Sequence, residues 1–379
     1  MATLKKIALK TGANQLGQPS ALTQWGGVVT DVPAPGGLAA FDDMVNFLCR
    51  KGRIQLRPKL NSWGTPPDGA NVQVMITFLD AVNSYHTLVL TTQNAYMVTA
   101  GPVWHLLTYP VGITNLSGTA LPYGIITILN RVYFSNGSVP LLFADGESSL
   151  KVAGDVPGSA LFITQNTDTL IMAATTEPAP GVINSTFFPN RVRWSAGGLP
   201  DEYDNTVDFS AGFNDLVEVP DVITGLTTLG LNTFVFRTNG ITVMYPTGTS
   251  GLGVLPFNFQ DFSFAPLGIG NAYPYSLATY GPRCVFVAED DIYMFDGTTP
   301  QPIGFGNKKA IYKDLSLATG TVVGTILPVL GPNYDFLAYY LSIPGPNSTW
   351  VFGWDEKTWM RISSSVGSLT ASNFVSVGV

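Results

Sequence analysis

The stretch from Tyr275 to Gly304, YSLATYGPRCVFVAEDDIYMFDGTTPQPIG, leaves a chain few ways to fold. It holds three short strand candidates: Ser276 to Tyr280, Arg283 to Ala288, and Ile292 to Phe295. Gly281-Pro282, Glu289-Asp290-Asp291 and Asp296-Gly297 break them. Cys284, Phe286 and Ala288 alternate with Val285 and Val287, so both faces of the middle strand are apolar and both must be covered. With an Asp-Gly hairpin signal after the last strand, the segment reads as an antiparallel meander. Such a unit cannot bury itself and needs others like it stacked on either side.

The rest of the chain supplies them. Val45 to Leu60 reads as a hairpin around a Lys-Gly turn, and residues 61–71 as a Pro/Gly loop. A first four-strand set comprises Val72 to Leu79, His86 to Thr92, Ala95 to Val98 and Val103 to Leu107. A second spans Gly124 to Val152, with turns at Asn136-Gly137 and Asp145-Gly146. The third opens with Leu161 to Thr164 and Leu170 to Ala174 and ends in Arg191 to Trp194. Val222 to Tyr245, folded around Asn239-Gly240, is the fourth; the opening stretch is the fifth; Thr321 to Ile362, with its Trp-rich final pair, is the sixth. The best helix candidate, Lys308 to Leu315, is too short to shape the architecture.

Radial stacking protects the edges of such sets. The expected fold is therefore all-β, a β-propeller of about six to seven antiparallel blades over residues 41–379. The hairpin at 45–60 and the C-terminal strands are expected to share a blade and close the ring. A double-sheet sandwich array is the alternative that fits the same strand pattern. Residues 1–40, rich in Gly, Pro, Ala and Thr, read as an N-terminal arm or loosely attached leader.

Composition agrees with β structure. Hydrophobic residues are 45% of the chain, ample for a core, while charged residues are 12%, about half the usual ~25%. Forty Gly and 27 Pro fill the deficit and serve turns. Net charge is −7, and gripping nucleic acid needs clustered cations. The only basic cluster, Arg50, Lys51, Arg53, Arg57 and Lys59, alternates with apolar residues and reads as a solvated strand face. Cys49 and Cys284 lie in apolar runs and read as free buried thiols. No apolar signal-peptide core and no 18-residue apolar run occur, so neither secretory export nor a transmembrane segment is expected.

A search for chemistry finds no constellation. His86 and His105, with the two cysteines, have no metal-ligand spacing, and His105 beside Trp104 reads as packed or at a rim. No GxSxG elbow occurs, and Gly248 to Gly253 leads into no helix that could cradle phosphate. Carboxylates at Asp42-Asp43, Asp201-Glu202-Asp204, Glu289-Asp290-Asp291 and Asp355-Glu356 fall where hairpin turns are expected. Glycoside hydrolysis requires two carboxyls across a sugar, so a carbohydrate-active or lectin-like propeller using Asp201 or Glu289 is the alternative function. No enzyme activity, cofactor or metal is expected.

Two stretches carry a family resemblance: Phe188 to Asp204, FPNRVRWSAGGLPDEYD, and Thr233 to Tyr245 together with FQDFSFAPLGIGNAYPYSLATYGPRCVFVAEDDIYMFDGTTPQPIG. They resemble the tail hub or nozzle proteins of short-tailed bacteriophages, the packaged-DNA stabilisation proteins. Arg191, Arg193, Trp194, Ser195, Gly198 and Pro200 match the first motif, and Tyr203 stands where an aromatic residue, often Trp, is expected. Arg237, Gly268, Gly270, Pro274, Ser276, Asp291, Phe295, Asp296, Gly297, Pro302 and Ile303 match the second. The resemblance is firm over 188–304 and runs in order over 40–362. The chain is short for the family, and Glu289-Asp290-Asp291 replaces a smaller turn.

The resemblance implies a virion structural protein, made in the host cytoplasm and placed in the phage tail. It implies a homo-oligomeric ring, commonly a hexamer, below the portal and head-to-tail adaptor and above tail fibre or plug (needle) proteins. DNA passes through such a ring on ejection without being specifically bound, and an acidic subunit suits that passage because it repels phosphate.

Within the motifs, Arg191 and Arg193 share a strand face and could clamp an acidic loop such as Asp201 to Asp204, within one chain or across subunits. Asp296-Gly297 reads as a turn requirement. Gly268 and Gly270 read as close backbone approaches at a blade junction, and Trp350, Trp354 and Trp359 as packing between blades. Structural or subunit-interface roles are thus expected for Arg191, Arg193, Trp194, Asp201, Tyr203, Arg237, Gly268, Gly270, Asp296 and Gly297.

Overall fold

The computed structural model describes residues 64–363, less 100–102, 117–120, 155–157, 179–184, 205, 219–220, 249–255, 263–267, 330–335, 347 and 356. It also describes the backbone of five short strands upstream. Of these, β1 (Leu9–Lys10), β2 (Trp25–Val28) and β3 (Ala39–Phe41) form one small sheet, and β4 (Phe47–Arg50) and β5 (Arg53–Leu56) a hairpin. The basic cluster around Arg50, the Cys49 side chain and residues 249–253 lie outside what is described.

Six four-stranded meanders follow. Blade one is β6 (Val72–Leu79), β7 (Tyr85–Thr91), β8 (Ala95–Thr99) and β9 (Val103–Leu106). Blade two is β10 (Gly124–Ile128), β11 (Arg131–Ser135), β12 (Leu142–Ala144) and β13 (Lys151–Val152). Blade three is β14 (Ser159–Asn166), β15 (Thr169–Pro178), β16 (Ser185–Trp194) and β17 (Gly212–Asp215). Blade four is β18 (Ile223–Leu229), β19 (Asn232–Arg237), β20 (Ile241–Pro246) and β21 (Phe257–Asp261). Blade five is β22 (Ala278–Tyr280), β23 (Arg283–Val287), β24 (Ile292–Phe295) and β25 (Gln301–Pro302). Blade six is β26 (Val323–Val329), β27 (Phe336–Ile343), β28 (Ser348–Gly353) and β29 (Thr358–Ser363).

Strands apolar on both faces explain the stacking. Each of five buried clusters takes side chains from two successive blades. Leu88 and Phe134 belong to one cluster between blades one and two, and Tyr133 and Met172 to another between two and three. Trp194 and Met244 share the cluster between three and four, and Phe236 meets Phe286 between four and five. Val287 and Trp350 share the cluster between five and six.

The innermost strand of every blade, or the residues leading into it, borders one axial cavity of about 210 Å³. Val74, Gly124, Phe162, Leu226, Tyr275 and Gly324 contribute, one from each blade. Six inner strands around one axis make a closed six-bladed β-propeller and exclude the sandwich array. The axis is narrow because Phe162 of blade three meets Tyr275, at the entrance to blade five, with ring centroids 5.8 Å apart.

Three expectations need correction. The hairpin at 45–60 forms, but it is not part of a blade: blade six consists of four consecutive strands, and β2 and β4 lie against β29. The third and fourth sets each have a further outer strand, β17 and β21, and the fifth ends in the two-residue β25. The helix, α1 (Lys308–Ser316), does shape the architecture. Its Ile311 and Leu315 are buried between blades five and six, and Asp314 accepts a hydrogen bond from Trp350 Nε1 at 2.9 Å.

Candidate functional site

Every blade begins at the axis and runs outward as a meander, so the turns after its first and third strands share one face. On that face, turns from blades one, two and three enclose a groove of about 840 Å³. Its carboxylates are Asp80, Asp145, Glu147, Asp201 and Glu202, and Val82, Leu129 and Leu199 supply apolar walls. Each of these walls is unusually open: Val82 is 78% exposed, Leu199 53% and Leu129 51%.

The carboxylates are already engaged. Asp80 accepts the Ser84 amide at 2.8 Å and the Val82 amide at 2.9 Å, and sits 2.8 Å from His86 Nε2. The Ser84 amide, with His86 next, holds the Asp80 carboxyl below the usual range. Lys151 pairs with Asp145 and, at 3.1 Å, with Glu147. Asp201 accepts from Arg131 Nη1 and from the Tyr133 hydroxyl, both at 2.9 Å, linking blade three to blade two. Asn130 Nδ2 donates to the Asp80 carbonyl at 2.7 Å and links blade two to blade one. Glu289 follows a second strand and so lies on the opposite face, and no sugar could sit between it and Asp201.

Arg191 and Arg193 do share a face, and their clamp is within the chain. Its anchor is not Asp201 to Asp204 but Glu177 on the neighbouring strand β15. Glu177 Oε2 accepts from Arg191 at 2.9 Å and from Arg193 at 3.1 Å, while Oε1 accepts the Thr175 hydroxyl at 2.7 Å. Asp215 on β17 takes Arg191 bidentately at 2.7 and 2.8 Å, and Phe188 and Phe213 sandwich the guanidinium at 3.7 and 4.2 Å. Arg193 also donates to the Tyr203 carbonyl at 3.1 Å. Trp194 is fully buried, donates to the Ser210 carbonyl at 3.0 Å and packs on Phe257 of blade four. Tyr203 is wholly buried beside blade two, and burial pushes its hydroxyl well above the ordinary phenol range.

The second motif is also framework. Buried Arg237 pairs with Asp261 at 2.6 Å inside blade four. Gly270 is a close approach, as expected: a Cβ there would lie 2.3 Å from the Arg237 carbonyl oxygen. Gly268 is not, since its surroundings are open; it is required instead by its φ of +110°. Asp296 accepts the Thr298 amide at 3.1 Å and Gly297 has φ +89°, which makes the expected turn. Ser276 Oγ accepts the Val287 amide and donates to Asn271, both at 3.0 Å. Asn271 in turn reaches the Thr224 carbonyl at 3.0 Å, and the Ser276 carbonyl takes the Tyr339 hydroxyl at 2.8 Å. One serine therefore ties blades four, five and six. Trp359 bridges blades by donating to the Ile303 carbonyl at 2.6 Å.

Sequence reasoning did not find Glu177, Asp215, Asp261, Asn271 or Asp314 as partners. Cross-strand register could have found Asp215, which pairs directly with Arg191. Register alone would have misplaced Glu177, because a bulge at Ala174 shifts β15 against β16. Cys284 is a free buried thiol, as expected, and His105 sits on the exposed outer strand of blade one. Among the described residues no three His, Cys, Asp or Glu side chains are grouped as metal ligands, and no helix is long and apolar enough to cross a membrane.

No family model and no curated protein matches the sequence. Solved structures of similar overall shape include the WD40 domain of Pan2 from Neurospora crassa, 10% identical, covering 79% of this chain and 80% of that one with a TM-score of 0.41. AztD from Citrobacter koseri is 9% identical over 79% of this chain and 75% of its own, with a TM-score of 0.43. BamB from Moraxella catarrhalis is 9% identical over 77% and 83%, with a TM-score of 0.37.

Proposed function

We propose that this propeller is a structural subunit of the tail hub or nozzle of a short-tailed bacteriophage, assembled with copies of itself into a ring, commonly a hexamer. The observation that carries this reading is where the family-like residues sit. Arg191, Arg193, Trp194, Arg237, Gly270 and Ser276 serve as ties within and between blades, while of the first motif only Gly198 and Pro200 border the groove. A protein whose shared signature is its framework is one whose task is to be a well-shaped solid. The axial cavity of about 210 Å³, narrowed by Phe162 and Tyr275, is too small for a DNA duplex, so on this reading the passage for DNA lies between copies, bounded by adaptor above and fibre or plug below. A chain of net charge −7 repels phosphate along that passage.

The test is assembly. Mass photometry and negative-stain images of the purified protein should show closed rings, and quantitative mass spectrometry should find the chain at fixed stoichiometry in phage particles. A strictly monomeric species that is absent from particles overturns the reading.

A further inference from the structure

The chain holds two Asn-Gly pairs, Asn136-Gly137 and Asn239-Gly240, and the fold treats them in opposite ways. Such a pair is chemically weak, because glycine lacks the Cβ that would keep its amide nitrogen away from the asparagine side chain. Asn136 is 1% exposed, and its Oδ1 accepts the amides of Ser138 at 3.1 Å and Val139 at 3.0 Å. Gly137 is held from outside as well: its carbonyl accepts the Ser159 hydroxyl at 2.6 Å, and the Leu161 side chain packs over it. The Asn136 carboxamide cannot swing onto the Gly137 nitrogen without giving up two hydrogen bonds at a buried site.

Asn239 stands on the turn between β19 and β20 of blade four and is exposed. Its backbone is held, the amide donating to Asp221 Oδ2 at 2.6 Å, but its carboxamide makes no hydrogen bond among the described residues. The turn closes where the Arg237 amide donates to the Gly240 carbonyl at 2.8 Å. The amide of Gly240 itself has no acceptor among the described residues. The Arg237 side chain lies beside it. A Cβ on Gly240 would be 3.6 Å from Arg237 Nη2 and 3.9 Å from Nε, and Nε is buried with no hydrogen-bond partner among the described residues. A fixed guanidinium at that place favours a negative charge on the amide and on any oxyanion formed next to it.

We infer that Asn239 is a site of self-modification, converting to aspartyl and isoaspartyl forms while Asn136 is preserved. The Gly240 nitrogen gives up its proton and bonds to Asn239 Cγ. The Cγ–Nδ2 bond breaks, and ammonia leaves carrying that proton. Water then opens the cyclic imide at either carbonyl, so that one amide and one water become one carboxylic acid and one ammonia. Opening at the main-chain carbonyl adds a methylene to the backbone, at the point where Gly270 packs so close that a Cβ on it would lie 2.5 Å from the Gly240 nitrogen.

The test uses the full-length protein in mildly alkaline buffer, folded and in urea, with both peptides followed by mass spectrometry and isoaspartyl methyltransferase labelling as a second readout. In the folded protein Asn239 should convert at least about tenfold faster than Asn136, the two hydrogen bonds on Asn136 setting the gap. In urea the two rates should converge. Gly240→Ala, whose methyl meets Arg237 only at ordinary contact distances, should slow conversion at Asn239 and leave the rate at Asn136 in urea unchanged. Folded-state rates that are equal or faster at Asn136, or undiminished conversion at Asn239 in Gly240→Ala, overturn the inference. So does an Asn239 that stays an amide in the folded protein while the unfolded chain converts.

Discussion

The outer strands of blade three and the junction of blades four and five hold the same fold by opposite means. Blade three uses charge: Glu177, 6% exposed at its side chain, holds two arginines, and Asp215 holds one of them again. The four–five junction uses rings. Phe295 meets Phe234 at 5.0 Å and Phe262 at 5.5 Å, both nearly perpendicular, and Phe236 lies 5.0 Å from Phe286. Edge-to-face pairs add about 0.5–1.5 kcal/mol each beyond the area they bury, and neither salt nor pH changes them. A buried ion pair depends on both partners keeping their charge, and breaking one side costs more than the intact pair contributes. One propeller thus combines a condition-independent seam with a condition-dependent one.

The contrast can be broken at its strongest point. Phe295→Ala should destabilise by about 4 kcal/mol, through lost transfer energy and the cavity left behind, and urea unfolding should show the same loss at low and high salt. A loss below about 1 kcal/mol would mean the aromatic seam is not what holds blades four and five. Glu177→Gln comes next: it leaves Arg191 and Arg193 facing each other without their shared anion and should cost about 3 kcal/mol, less in molar salt. A salt-independent loss would place Glu177 with the rings.

The smallest effect tests pH. Asp80 has its carboxyl held below the usual range, so its contribution to stability is present above its unfolded value, near 3.9. It is lost as pH falls through the lower folded value. The stability gap between the parent and Asp80→Asn should therefore shrink as urea melts move from pH 6 to pH 3, and a gap that widens in acid reverses the assignment.

Turn chemistry made most of the fold legible. Asn136-Gly137, Asp145-Gly146, Asn239-Gly240 and Asp296-Gly297 all fall between paired strands, and the both-face-apolar run at 283–288 did require neighbours on each side. What stayed hidden is short, polar or non-local. The outer strands β17 and β21 have solvent on one side and little apolar signal, as GFND and FNFQD show. The closing seam was misread because an apolar hairpin at 45–60 looks the same inside a blade or beside one. The groove was invisible for a geometric reason: Asp80, Arg131 and Asp201 are separated by scores of residues and meet only because three blades turn about one axis. The Arg191 and Arg193 pairing was half legible, since strand alternation gives the shared face while only a bulge decides which acid they share.

The contact between Phe162 and Tyr275 has a mechanical consequence. A wheel with an empty hub ovalises under lateral load, because its spokes can tilt into the space. Here blades three and five touch through two stiff rings, Phe162 and Tyr275, at the edge of the axial cavity. Tilting either blade inward must displace that ring pair. Load on blade three therefore reaches blade five across the axis, with less tilting than a hub without that contact would allow.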